Sequence, residues 1–107
     1  MDIKYERINI LNKAKKMINE RLNKFPDYHG FIVIDEQIKY LLEVLTSLHV
    51  DRDKLNDINV GQYAVHIFES EDPELANILH EVSGIARDLI EENLSPLEKY
   101  LRRTGRL

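Results

Sequence analysis

Apolar side chains at Ile8, Leu11, Ile18, Leu22 and Phe25, with Ala14 between them, recur at spacings of three, four and seven residues. That pattern is one stripe of an α-helix and cannot be one face of a strand, whose side chains alternate with a period of two. Lys4, Arg7, Lys13, Lys15, Lys16, Glu20 and Arg21 fall largely on the other faces. Residues 2–25 therefore read as an amphipathic helix that must bury its stripe against another element. The run Pro26-Asp27-Tyr28-His29-Gly30 ends it, because proline cannot continue a helix and glycine suits a turn.

The same logic carries along the chain. Phe31-Ile32-Val33-Ile34 has the β-branching of a short strand, yet Ile34, Ile38, Leu41, Leu42, Leu45 and Leu48 continue at helical spacing. Length decides for a second helix over 31–49. Asp51 is placed to cap a short turn through Asp57. Ile58 to Phe68 comes next, with Ile58, Ala64, Ile67 and Phe68 expected on one side. Gly61 would cost ~1 kcal/mol in a helix interior, so either a helix starts beside it or something packs closely there. Asp72-Pro73-Glu74 is a helix start: a capping aspartate, proline at the first helical position, and an acid in the first turn. Leu75, Ile78, Leu79, Val82, Ala86, Leu89 and Ile90 extend that helix. Ser95-Pro96-Leu97-Glu98 is a capping box opening a last short helix that frays near Gly105. The expected fold is all-α, one antiparallel bundle of about five helices. It forms a single domain over 1–107, with residues 93–107 as a C-terminal extension.

At 107 residues, the chain is long enough to bury a core without staples. It has no cysteine, which excludes a disulfide scaffold, a zinc-thiolate site and a cysteine nucleophile. The opening residues mix charges of both signs, and the longest apolar run, Phe31 to Ile34, is far below the ~20 residues that span a bilayer. A soluble, cytoplasmic protein without membrane association is expected.

The formal charge of −4 is unevenly spread. Residues 51–92 carry three basic side chains (Arg52, Lys54 and Arg87) against eleven acidic ones, a local charge of −8. Residues 1–50 sum to +1 and residues 93–107 to +3. The acidic block suits a basic partner, whose association it would speed and select; a solvated helix face with acids at two helix starts explains it as well. An acidic balance argues against a nucleic-acid binder, and the basic side of the first helix and the Arg102, Arg103 and Arg106 tail lack interleaved aromatics.

Chemical motifs fail one by one. His80-Glu81-Val82-Ser83-Gly84 begins like a zinc-protease helix but has glycine where the second histidine is required. No histidine has glutamate three residues before it, as a di-metal bundle needs, and His66 and Glu69 alone make a poor site. Leu55 and Asn56 spoil the calcium-loop opening of Asp51 and Asp53. His29 falls in a turn, His49 at a helix end, and His66 and His80 on the surface. No metal, no cofactor and no catalytic set is expected.

The segment Asp57-Ile58-Asn59-Val60-Gly61-Gln62-Tyr63-Ala64-Val65, with Phe68-Glu69-Ser70-Glu71-Asp72-Pro73-Glu74-Leu75 after it, resembles the immunity proteins that protect bacteria from a type VI secretion toxin hydrolysing NAD and NADP. Arg21-Leu22-Asn23-Lys24-Phe25-Pro26-Asp27-Tyr28, Glu36-Gln37-Ile38-Lys39-Tyr40 and Asp51-Arg52-Asp53-Lys54-Leu55 fit the same pattern. The resemblance spans roughly residues 3–82 in order; Ile67 departs from it, standing where an acidic residue is usual. It implies a non-enzymatic helical bundle that binds the cognate toxin C-terminal domain, an NAD(P)+ glycohydrolase, and occludes its nucleotide cleft, being a monomer or homodimer when free. The expected interface is Asp57, Gln62, Tyr63, His66, Glu69, Glu71, Asp72 and Glu74. A helical adaptor or dimerisation module with an unrelated protein partner is the alternative.

Overall fold

The first stripe forms α1, Ile3–Lys24, in a computed structural model that describes residues 3–47, 50–93 and 96–105. Leu11, Ala14 and Ile18 are fully buried, as their spacing requires, and Met17 joins them. Phe25 does not: it lies just past the last turn of α1 and stays 59% exposed. Arg21 and Lys24 in that last turn favour the negative end of the helix dipole.

The chain then turns over only four residues. α2 spans His29–Thr46, two residues earlier than expected, so Gly30 lies in its first turn and not in the break. A Cβ on Gly30 would stand 2.3 Å from the Tyr28 ring. Glycine therefore lets Tyr28 fold over the helix start and meet Phe31 edge-on, with centroids 4.8 Å apart. Phe31, Ile34, Ile38, Leu41 and Val44 line the buried side of α2, with Leu42 and Leu45 half-buried beside them. The expected last residues, Leu48 and His49, lie outside the described residues.

Among the described residues, Asp35 is the buried charged one. Its Oδ2 accepts from Lys39 Nζ at 2.9 Å, and Lys15 Nζ on α1 lies 3.5 Å from Oδ1. Two flanking ammonium groups offset much of the cost of removing a carboxylate from water. The Lys39 ammonium is held above its ordinary pKa by that hydrogen bond.

A 3₁₀ turn, Asp53–Asp57, buries Leu55; Asp51 accepts the Asp53 N–H at 2.8 Å, the capping role its position suggests. Helix α3 comes next in three contiguous pieces: Val60–Tyr63 in α form, Ala64–Phe68 in π form and Glu69–Glu71 in α form. The Glu69 N–H donates to the Ala64 carbonyl, five residues back, the signature of a π turn. The wider winding keeps Ala64 and Phe68 in the core but carries Ile67 to the surface. This corrects the expectation of one apolar side shared by Ile58, Ala64, Ile67 and Phe68. The start of α3 is tied to α2 by a reciprocal amide pair: Gln37 Nε2 donates to Asn59 Oδ1 at 2.6 Å, and the Asn59 N–H to Gln37 Oε1 at 3.0 Å.

Helix α4, Pro73–Glu92, begins as its sequence says, with Asp72 accepting from the Leu75 N–H and Pro73 in the first turn. Eight of its residues, from Leu75 to Leu89, are buried, making it the central helix. It runs antiparallel to α1. Arg7 bridges to Glu92 at 2.7 Å at one end, and Arg21 to Asp72 at 3.0 Å at the other. These arginines, with Lys15, therefore link elements across the bundle. The last helix, α5, is Pro96–Arg103; Ser95, its expected capping residue, lies outside the described residues. Among the described residues there is no strand, and the core is drawn from α1 to α4 and the 3₁₀ turn.

Both readings of Gly61 hold. It stands in the first turn of α3, and a Cβ there would meet Ser83 Oγ at 2.6 Å and Ser83 Cβ at 3.1 Å on α4. The α3–α4 contact thus depends on the missing side chain. Gly61→Ala gains up to ~1 kcal/mol of helix propensity but overpacks a tight contact, which costs about 1–3 kcal/mol. The expected outcome is a net loss of about 1 kcal/mol in urea unfolding, diminished when Ser83→Gly is added. Equal losses in the Ser83 and Ser83→Gly backgrounds would refute the contact.

Candidate functional site

Where α1 ends, α2 begins and α3 meets α4, four aromatic rings from three segments converge. Phe31 lies at the centre: Phe25 is tilted against it at 6.5 Å, Tyr28 meets it edge-on, and Phe68 stacks on it at 5.6 Å with planes 10° apart. Phe31 and Phe68 are buried, whereas Phe25, Tyr28 and Ile67 remain exposed. Together they line a groove of about 320 Å³ whose other walls are Arg21, Glu71 and Asp72. Exposed aromatics around a buried aromatic floor, rimmed by charge, have the composition of an interface centre.

The rim is electrostatically ordered. Asp72 accepts from Arg21 Nε at 3.0 Å and from a terminal nitrogen at 3.3 Å while also capping α4 through the Leu75 N–H. The Arg21 guanidinium, and then the Leu75 N–H, hold the Asp72 carboxyl below its ordinary pKa against the opposing effect of burial. The guanidinium is raised in turn by the hydrogen bond to Asp72. Glu74 lies beside this pair with Glu20 and Lys24 around a neighbouring depression. Asp72 is thus consumed by the fold, and Glu71 and Glu74 carry the outward charge at this end.

The expected interface residues do not form one cluster. Glu71 and Asp72 belong to the aromatic groove. Gln62 and His66 are on α3 above a second cleft, of about 400 Å³, shared with His80 and Ser83 of α4. Tyr63 is half-buried against the core. Glu69 is exposed and its Oε1 lies 3.0 Å from His80 Nε2. Asp57 lines a separate depression with Val33, Glu36 and Tyr40.

The −8 block is therefore partly spent inside the molecule: Asp72 faces Arg21, Glu92 faces Arg7, and Glu69 faces His80. Sequence reading missed Phe25, Tyr28 and Ile67 as surface groups; the turn chemistry of Pro26 to Gly30 was the one local signal for the first two, and the π winding that exposes Ile67 had none. Among the described residues no group of three or more histidine, aspartate or glutamate side chains is placed to hold a metal. No helix among them is long and apolar enough to cross a membrane.

The geometry can be set beside known proteins. The Immune protein Tsi6 of Pseudomonas aeruginosa is 31% identical over 72 residues, which cover 67% of this chain and 77% of that protein. The solved structure of Tsi6 from Pseudomonas aeruginosa superposes with a TM-score of 0.73 at 28% identity, over 75% of this chain and 83% of that one. A chain in the structure of Tse6 in complex with Tsi6 gives a TM-score of 0.78 at 25% identity, covering 83% of this chain and 98% of that one. The Tsi6 family model matches residues 6–88, from the first turns of α1 to the last turns of α4. This chain belongs to the Tsi6 family.

Proposed function

We propose that this protein is an immunity protein: it binds a cognate toxin through the aromatic groove and the acidic surface beside it, and so blocks the toxin. The observation that carries the reading is a helical body, of the fold found in the Tse6–Tsi6 complex, that leaves Phe25, Tyr28 and Ile67 uncovered next to Glu71. Aromatic anchors that exclude water supply affinity, and flanking acids supply rate and selectivity.

The toxin is an NAD(P)+ glycohydrolase, and its C-terminal domain is the part bound. A cleft that takes an anionic dinucleotide presents basic groups, and the acids at the start of α4 compete for them. The protein acts in the cytoplasm by occlusion, with no catalysis or cofactor of its own. Co-expression with the toxin encoded beside it tests this reading. Restored growth with preserved NAD and NADP is expected; lysis or arrest despite co-expression overturns it.

Charge reversal locates the surface. Glu69→Lys, Glu71→Lys and Glu74→Lys together should weaken toxin binding about 10- to 100-fold at low salt, mainly through slower association. Each site is exposed, so helicity by circular dichroism should remain. Unchanged affinity in a titration would move the interface elsewhere on the bundle.

A further inference from the structure

Helix α5 lies beyond the family match, which ends at residue 88. It presents an apolar face that is left largely open: Leu97 is 66% exposed and Tyr100 56%. Leu97, Tyr100 and Leu101 are spaced to lie on one side of the helix, and Arg103 stands about one turn after Tyr100. The charge of this segment is opposite to that of the groove's rim: residues 93–107 sum to +3, whereas Asp72 is matched by Arg21 and Glu71 is left as the rim's net negative charge.

The groove cannot be filled by α5 of the same chain. The Arg7–Glu92 and Arg21–Asp72 bridges fix the end of α4 and its start at opposite ends of α1. The groove lies at the Asp72 end, a helix length of ~30 Å from Asn93. Three extended peptide steps of ~3.5 Å to Pro96, then four helical steps of ~1.5 Å, bring Tyr100 only ~16 Å from Asn93. An occupant from this chain must come from another copy.

We propose that the protein self-associates by docking α5 of one copy into the aromatic groove of a second, with Leu97 and Tyr100 against Phe25, Tyr28 and Ile67, and Arg103 toward Glu71. Reciprocal docking gives a closed twofold dimer with two equal junctions. An eight-residue helix buries less than a stable interface needs, so the dimer is weak and salt-sensitive. The groove is then covered in the free protein and opens when a partner competes for it. The proposal goes beyond toxin recognition, because it requires no toxin.

Sedimentation of the full chain over a concentration series tests it, with circular dichroism confirming that each variant folds. The wild-type mass should rise from one 12.6 kDa chain toward two between ~10 and ~500 µM, and the midpoint should shift upward at least tenfold between ~0.05 and ~0.5 M salt. Leu97→Glu with Tyr100→Glu, and separately Ile67→Lys, should each weaken association at least tenfold. All three positions are exposed, so neither change reaches the core. A wild-type mass of one chain throughout overturns the proposal. So does a dimer indifferent to either variant, which would use another face. A wild type that stays monomeric while the α5 variant loses toxin affinity would assign α5 to the toxin and overturn it as well.

Discussion

Phe68→Ala is expected to lower unfolding stability by about 3–5 kcal/mol, the usual cost of deleting a buried aromatic ring and leaving a cavity. Phe68 is only 5% exposed, and its ring covers the face of Phe31. It closes the π segment, so its loss detaches α3 from the α1–α2 corner as well as opening space. Domains of this kind have only about 5–15 kcal/mol in hand. At about 4–8 °C per kcal/mol for a small domain, the melting temperature should fall by more than ~12 °C. Thermal unfolding monitored at 222 nm measures it. A loss below ~1 kcal/mol would mean that the Gln37–Asn59 amide pair and the α3–α4 contact hold α3 without the ring stack. The groove floor is the same ring pair, so toxin affinity should fall even where the variant is folded.

Asp72→Ala is expected to cost about 2–4 kcal/mol, from a lost cap of ~1 kcal/mol and lost hydrogen bonds to a charged group. It also leaves the Arg21 guanidinium, itself only 18% exposed, without its carboxylate. Asp72→Asn keeps an oxygen for the Leu75 N–H and should lose about half as much. The carboxyl's pKa is depressed in the fold, with Arg21 as the leading cause. Its contribution is therefore complete above the unfolded carboxyl value, near pH 4, and is lost as pH falls through the lower, folded value. Urea midpoints should separate wild type from Asp72→Asn at pH 7 and converge as pH falls below about 4. A gap that stays constant across that range would show that the charge on Asp72 contributes nothing to the difference.

The three long helices were legible because each is a local pattern: the stripe from Leu11 to Ile18, the run from Ile34 to Leu41, and the cap at Asp72. Phe25 shows the limit. It continues the stripe of α1 in spacing, but periodicity does not say where a neighbouring helix stops covering it. Ile67 fails for a related reason, since the π turn adds one residue to the winding and changes which side chains face the core. Arg7 and Arg21 looked like solvated lysine-face companions because their partners lie 85 and 51 residues away. The acidic block was visible at once. The aromatic groove beside it was not, because its rings come from the α1–α2 turn, from α2 and from α3, and only packing brings them together.

The π turn of α3 has a consequence for how such a protein changes over generations. Val65, His66 and Ile67 are three consecutive exposed positions, anchored at both ends by the buried Ala64 and Phe68. Substitutions at sites that touch no core usually shift stability by only about 0.5 kcal/mol. The surface can therefore be rewritten residue by residue there while the bundle beneath remains intact. In the proposed toxin docking, Ile67 borders the toxin-binding groove, so a substitution there would change the contact offered to a toxin and leave folding alone.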